Sequence, residues 1–422
     1  MKKIIAVLFL VLSLFAIMGC NKKDEGIGRV EIWHTYNGAQ AEFLEKMASE
    51  FNASQEDYEV VVLAQDYSGF NDTVYNAVAN GIGPSIIFNF ASTAVDYIQA
   101  DLAVDITDYI KADVKKGDTS MQDIIDSLPE AMKTDVVGFA DGGIYYLPGC
   151  TTGPVFFYNK TIFDELGLNP PTSWAELESV SKTIKEKKGI PGFLSDSIID
   201  TLQALIMQNG LGYIDVDAKK VTFCNDKLVE IFDWYKDCCK KGYFAFNTVG
   251  SYSSDDLGNG DVASFAGSCV NDQYISMVKG ELGMAPWIAK DVESFFTAWN
   301  RGPIFLKRNA KADKGAYEFI KYFMSAKNNG EWAKINSAIS PYGTTEKDSA
   351  YQEYINSLPE NSALACVRAN LNLAGSFPNI PGSSQVRRYI EEYINYVVDG
   401  SLSAKDAVSQ LEEVCNKALN GK

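Results

Sequence analysis

Histidine is nearly missing from this chain: of 422 residues, only His34 is one. The eight cysteines include no Cys-x-x-Cys pair, so the short spacings that build structural zinc sites are absent. There is no Gly-x-Ser-x-Gly elbow, no His-Glu-x-x-His and no phosphate-cradling nucleotide loop. Gly81-Ile82-Gly83 is not a dinucleotide fingerprint, because it precedes a predicted strand instead of following one. A lone histidine without identifiable partners makes no triad, and these absences together speak against catalysis. Positive charge is also short, with 38 basic against 55 acidic side chains and a formal net charge of -17. Nucleic acid, a polyanion, would be repelled. Solubility is a sufficient reason for the acidity. The longest apolar run, Ile4 to Met18, is fifteen residues, whereas a membrane span takes roughly twenty.

That run follows Lys2 and Lys3 and ends at Gly19-Cys20, the layout of a secretory signal. Residues 1–19 are therefore predicted to be removed. The ending Ala16-Ile17-Met18-Gly19-Cys20 resembles a bacterial lipobox, which implies lipidation of Cys20; cleavage without lipid is the plainer alternative. Residues 20–28 then form a polar tether with no pattern that would pack. The roughly 400 residues that remain are too many for one core, and two domains are expected. With Cys20 carrying lipid, seven cysteines remain, which cannot all pair. Cys238 and Cys239 are adjacent on a predicted helix and the others are scattered, so most are expected to be buried free thiols.

Periodicity gives an alternating α/β order in the first third. Val30 to Trp33, Glu59 to Ala64 and Ser85 to Phe90 read as strands; Phe43 to Phe51 carries a helical stripe, and Phe70 to Ala79 is a second helix. The polar loop His34-Thr35-Tyr36-Asn37 lies at the carboxyl end of the first strand, where open α/β sheets place ligands. Two further short runs, Ile144 to Leu147 and Val155 to Tyr158, read as buried strands around a bend of Cys150, Thr151, Thr152 and Gly153. A helix capped by Thr172 or Ser173 covers Ala175 to Lys188, followed by helices over Leu202 to Gln208 and Asp226 to Lys240.

The segment Pro148, Thr151, Thr152, Tyr158-Asn159-Lys160 resembles the extracellular solute-binding proteins of bacterial ABC importers, in the branch that includes maltose-binding and glycerol-3-phosphate-binding proteins. Further matches are Gly81 to Phe90, Asp261 to Ser268, Trp299 to Ile304, the helix pair around Gly315 to Asn336, and Phe377-Pro378-Asn379-Ile380-Pro381-Gly382. The resemblance covers almost the whole mature chain. It implies a periplasmic-binding-protein-like α/β fold: two α/β lobes joined by a three-crossing hinge (type II), with 29–147 plus 298–338 in one lobe and 148–297 plus 339–422 in the other. Ser340-Pro341-Tyr342-Gly343 would be the third crossing.

The resemblance implies a small-molecule ligand in the interlobe cleft, delivery to ABC importer permease subunits, a lipid anchor to the membrane, a monomeric state, no cofactor and no metal. Aromatic Tyr36, Tyr67 and Trp299, with polar Asn37, Asp66, Asn89, Ser92, Thr151, Thr152, Ser268 and Asn300, suit a mono- or oligosaccharide, whose apolar face stacks on rings while amides and hydroxyls bind its edge. Phe156 and Phe157 read as core. Arg387 stands where family members carry an aromatic, and an arginine there could bind hydroxyls, a carboxylate or a phosphate. Asn89 and Thr152 also depart from the maltose-binding pattern, and Cys269 replaces a frequent Trp. Binding of glycerol-3-phosphate or a related phosphodiester is the runner-up; Ala91 and Ile339 weaken it. A glycan-binding or glycan-hydrolysing secreted lipoprotein is a further alternative.

Overall fold

The computed structural model describes residues 26–246, 253–273, 275, 278–289 and 293–421. The signal segment and Cys20 lie outside the described residues. In chain order the strands are β1 Gly28–His34, β2 Tyr58–Ala64, β3 Ile86–Phe90, β4 Cys150–Thr152, β5 Pro154–Asn159, β6 Leu194–Ser195, β7 Ile214–Asp215, β8 Lys220–Val221, β9 Ser264–Ser268, β10 Leu282–Pro286, β11 Phe296–Thr297, β12 Trp299–Phe305 and β13 Ala374–Gly375.

Two sheets organise the molecule. The first has the order β2-β1-β3-β12-β4 and the second β10-β5-β9-β6. β1 runs parallel to β2 and β3, and the helices Gly38–Ser54 and Phe70–Ala79 make the crossovers that parallel pairing requires. Both sheets are covered on both faces, which explains strands that are apolar throughout instead of alternating. In β3, Ile86 and Phe88 enter one core while Ile87 enters the opposite one. In β5, Phe156 and Phe157, both fully buried, likewise point into different cores. The family-like two-lobe α/β fold of the sequence reading is what the chain forms.

Local signals placed most helices well. The helices Phe70–Ala79 and Asp226–Lys240 occupy their predicted ranges, and Ser173, not Thr172, caps Trp174–Lys188, its side chain accepting from the Glu176 amide at 3.2 Å. The run Ile144 to Leu147 does not form a strand. It carries one isolated bridge, Tyr146 to Ile304, and its side chains fill the first lobe.

The chain changes lobes later than the resemblance implied. β4 pairs antiparallel with β12 in the first sheet, so residues 148–152 stay in the first lobe and the step to β5 occurs at Gly153. A Cβ on Gly153 would lie 2.4 Å from the Phe296 ring, so this crossing passes too close for any side chain. Ser340 to Gly343 is likewise no crossing: Tyr342, Tyr351 and Ile355 belong to the first core, and the Tyr342 hydroxyl donates to the Pro148 carbonyl at 2.8 Å. Ala363, Leu364 and Val367 belong to a second-lobe core. The helix Glu130–Val137 straddles the lobes, with Val136 in a first-lobe core and Met132 in a second-lobe core. The seven described cysteines are unpaired, and burial pushes their thiols up, to about 12 for Cys150, Cys238, Cys239 and Cys415.

Candidate functional site

A cavity of about 550 Å³ opens where the ends of the two sheets face one another. The first lobe contributes Phe90, Ala91 and Ser92, at the point where β3 passes directly into the helix Ala91–Gln99. The crossing strands β4 and β12 contribute Thr152, Trp299 and Asn300. From the second lobe come Ser268 at the end of β9, the segment Ser195 to Asp200, and Arg387 on the helix Ser383–Val398.

Six residues singled out from the sequence thus meet at one cavity: Ser92, Thr152, Ser268, Trp299, Asn300 and Arg387. Six others do not line it. Tyr36 follows the inward phase of β1 through Ile32 and His34 and is buried; the Arg301 guanidinium lies 4.7 Å over its ring, and Trp332 meets its edge at 5.2 Å. Asn37 is exposed before the helix Gly38–Ser54 and makes no side-chain cap. Asp66 and Tyr67 stand in solvent on the loop after β2, Tyr67 being 81 % exposed. Asn89 turns aside and donates to Asn71 at 2.9 Å. Thr151 is fully buried and acts from behind the wall, donating to the Asn300 amide oxygen at 2.8 Å. His34 is structural: its Nδ1 accepts from the Tyr36 amide at 3.1 Å, and burial lowers its pKa, keeping the ring neutral.

The floor is a rigid aromatic stack. Trp287, 4 % exposed, lies nearly parallel to Phe193 (5.7 Å, 12°) and Phe156 (6.3 Å, 14°), with Trp174 against it edge-on at 5.3 Å. The Trp174 indole N–H donates to Gln208, whose amide in turn holds the Ile288 and Phe295 carbonyls at 2.9 Å each. Phe90, 44 % exposed, and the half-buried Trp299 offer freer ring surface to the cavity.

The polar groups are wired in two networks. At the hinge, Asp135 accepts from the Asn300 amide at 2.7 Å and the Asn379 amide at 3.4 Å, joining the straddling helix, β12 and a second-lobe loop. Burial raises the Asp135 pKa against the opposing effect of these bonds. At the far wall, the Arg387 guanidinium pairs with Asp200 at 2.6 Å and also donates to Gln203, and the Gln203 amide donates to the Tyr213 hydroxyl at 2.7 Å. Arg387 is therefore engaged before any ligand arrives. Asp196 remains exposed, its carboxylate accepting from Asn271 at 3.2 Å.

Three of these groups, Asp135, Asp196 and Asp200, carry no local signal in the sequence, where they look like ordinary helix or loop acids. Phe90 reads as the last residue of a predicted strand. Only the tertiary fold brings them together. Among the described residues no cluster of His, Cys, Asp and Glu could hold a metal ion, and no helix is long and apolar enough to cross a membrane.

Residues 46–363 match the family model of bacterial extracellular solute-binding proteins. The sn-glycerol-3-phosphate-binding periplasmic protein UgpB of Rhizobium meliloti is 23% identical, the match covering 92% of this chain and 93% of that protein. Among solved structures, a cyclic α-maltosyl-1,6-maltose-binding protein from Arthrobacter globiformis superposes with a TM-score of 0.78 at 21% identity, covering 94% of this chain and all of that one. UgpB from Mycobacterium tuberculosis, in complex with glycerophosphocholine, gives a TM-score of 0.75 at 15% identity over 94% of this chain and 99% of that one.

Proposed function

The chain belongs to the family of bacterial extracellular solute-binding proteins, and from that premise we propose that it captures a neutral carbohydrate between its lobes and delivers it to the permease of an ABC importer. It binds its ligand without transforming it. The observation that carries the carbohydrate reading is the pairing of ring surface with committed charge. Phe90 and Trp299 present faces on which the C–H side of a sugar ring can lie, and Thr152, Ser268 and Asn300 offer hydroxyl and amide groups to its edge. Among the described residues that line the cavity the one arginine is neutralised by Asp200, and two more carboxylates face the same space. A phosphate would meet net negative charge and would have to break the Asp200 pair to reach a guanidinium.

The phosphodiester reading is supported by the relatives: curated relatives at 21–23% identity, from Rhizobium meliloti to Escherichia coli, are glycerol-3-phosphate-binding proteins, and one superposed structure holds glycerophosphocholine. Another superposed protein binds a cyclic maltosyl sugar. Isothermal titration of the mature chain against neutral mono- and oligosaccharides, sn-glycerol-3-phosphate and glycerophosphocholine separates the two. Heat with a saccharide and none with the phosphates is expected; the reverse overturns the carbohydrate reading.

We further propose that Cys20 carries the lipid that holds the protein, as a monomer, to the outer face of a membrane, with residues 20–28 as tether. The lobes are taken to exchange chain at Gly153, near Ala298 and between Leu358 and Ala363, and closure about these points encloses the ligand.

A further inference from the structure

Cys224 and Cys415 stand 191 positions apart in the chain and are neighbours in the second lobe. The short strand β8 is laid along the last helix, Ala404–Leu419, by two side-chain bonds one helical turn apart. Asn420 donates to the Lys219 carbonyl at 3.1 Å, and Asn416 accepts from the Val221 amide at 2.9 Å. The chain therefore runs against the direction of the helix, toward the turn that carries Glu412 and Cys415. Cys224 follows directly, just before Asn225, whose side chain caps the helix Asp226–Lys240 and so fixes this stretch. Phe223, fully buried and stacked on Tyr213 at 5.4 Å, anchors it in the core to which Cys415 also belongs.

The electrostatics agree with that path. The neighbouring charges that act on the Cys224 thiol are those of Cys415 and Glu412, three residues apart on one face of the helix. Cys415 is fully buried and Cys224 half-buried. Burial raises both thiols, that of Cys415 to about 12, so neither ionises readily at neutral pH and exchange is slow. Among the other described cysteines, Cys238 and Cys239 are consecutive on one helix, and Cys150 and Cys269 belong to the cores of different lobes. The family works outside the cell, where thiols meet oxidants that carry a disulfide.

We propose that Cys224 and Cys415 are a redox-active pair that closes into an intramolecular disulfide and pins the last helix to the second lobe. The co-reactant is a low-molecular-weight disulfide. The Cys224 thiolate attacks one of its sulfurs, forming a mixed disulfide and releasing one thiol. The Cys415 thiolate then attacks Cys224 Sγ, forming the protein disulfide and releasing the second thiol. The two protons given up by the cysteines end on the two released thiols, so the protein is oxidised by two electrons and the small disulfide is reduced by two. The helix Ala404–Leu419 shares its core with Ser383–Val398, which carries Arg387, so the link stiffens the far wall of the cleft from behind.

The test is incubation of the reduced mature protein with oxidised glutathione at about pH 8.5, where more thiolate is present. Alkylation, intact mass and tryptic mapping without reductant follow, on wild type, Cys224→Ser and Cys415→Ala. Wild type is expected to lose two hydrogens and to yield peptide 221–227 joined to peptide 406–417. Its thermal midpoint should rise by about 5–10 °C, because the link closes a long loop, and reductant should reverse the rise. Both variants should lose the link and the rise, and Cys224→Ser in reductant should keep the midpoint of reduced wild type within about 2 °C. A Cys224 that stops as a glutathione adduct, the absence of any link, or a link between other cysteines overturns the proposal. So does an oxidised Cys224→Ser variant that gains as much thermal stability as wild type.

Discussion

Replacing Asp135 by alanine should loosen the hinge. The Asp135 carboxylate is buried, and it accepts from the Asn300 amide, whose residue is 3 % exposed, at 2.7 Å and from Asn379 at 3.4 Å. Deleting it leaves the Asn300 N–H₂ without its acceptor in a place water reaches poorly, at a cost of about 1–3 kcal/mol. The Asn379 bond is long and adds less. Against this, the variant is relieved of a desolvated charge, and the small polar void can admit a water. The net loss is about 2 kcal/mol, a fall of roughly 5 °C in thermal midpoint on the scale of a 150–250-residue domain.

Asp135→Asn keeps the shape and removes the ionisation. Because burial raises the folded-state pKa of Asp135, the protonated form is the one favoured on folding. Its contribution is greatest below the ordinary carboxylate range and is lost as pH rises through the raised value. Wild type should therefore lose stability relative to Asp135→Asn as pH rises above the ordinary carboxylate range. Scanning calorimetry of the three proteins at pH 4 and 7 reads both effects. An Asp135→Ala variant within about 0.5 kcal/mol of wild type, or a wild-type profile parallel to that of Asp135→Asn, refutes the clasp.

Three further outcomes are expected. Trp299→Ala should weaken the bound saccharide about tenfold to thirtyfold, with unchanged thermal midpoint, by removing one stacked ring; unchanged affinity in a calorimetric titration would take Trp299 out of the site. Gly302→Ala should destabilise by about 3 kcal/mol, since its Cβ would stand 1.9 Å from the Leu147 carbonyl oxygen and 2.4 Å from the Gly149 nitrogen, both backbone atoms; urea unfolding measures it. Arg387→Met and Asp200→Asn should be non-additive by about 1 kcal/mol in stability, a coupling kept modest by the 40% exposure of the arginine side chain; strict additivity in a double-mutant cycle contradicts the ion pair.

Sequence reasoning succeeded where the signal was local. Amphipathic spacing located the helix Asp226–Lys240, and the side-chain cap located the start of Trp174–Lys188. It failed for Ile144 to Leu147, which meets β12 only through the Tyr146–Ile304 bridge: the Phe305 amide donates to the Tyr145 carbonyl at 3.0 Å and the Leu147 amide to the Pro303 carbonyl at 3.2 Å, but Pro303 has no N–H to return the bond and the ladder goes no further. The crossing strands were legible as motifs, which is why Thr152, Trp299 and Asn300, which line the cavity, could be singled out. Loop residues after β1 and β2 were chosen from their position at strand ends, but a loop at the right edge can still turn inward, as Tyr36 does, or outward, as Tyr67 does. Asp200 and Arg387 are separated by 187 positions, and nothing along the chain announces that one neutralises the other. That pairing reverses what Arg387 alone suggests, since an arginine that looks like a phosphate anchor proves to be engaged.

The most direct measurement is a crystal structure of the protein with the tightest-binding saccharide from the titration. A sugar ring is expected in van der Waals contact with the Trp299 indole, with hydroxyls hydrogen-bonded to groups on both lobes and the Arg387–Asp200 pair intact. A ligand bound elsewhere on the surface, or a phosphate seated on Arg387 with Asp200 displaced, would contradict it.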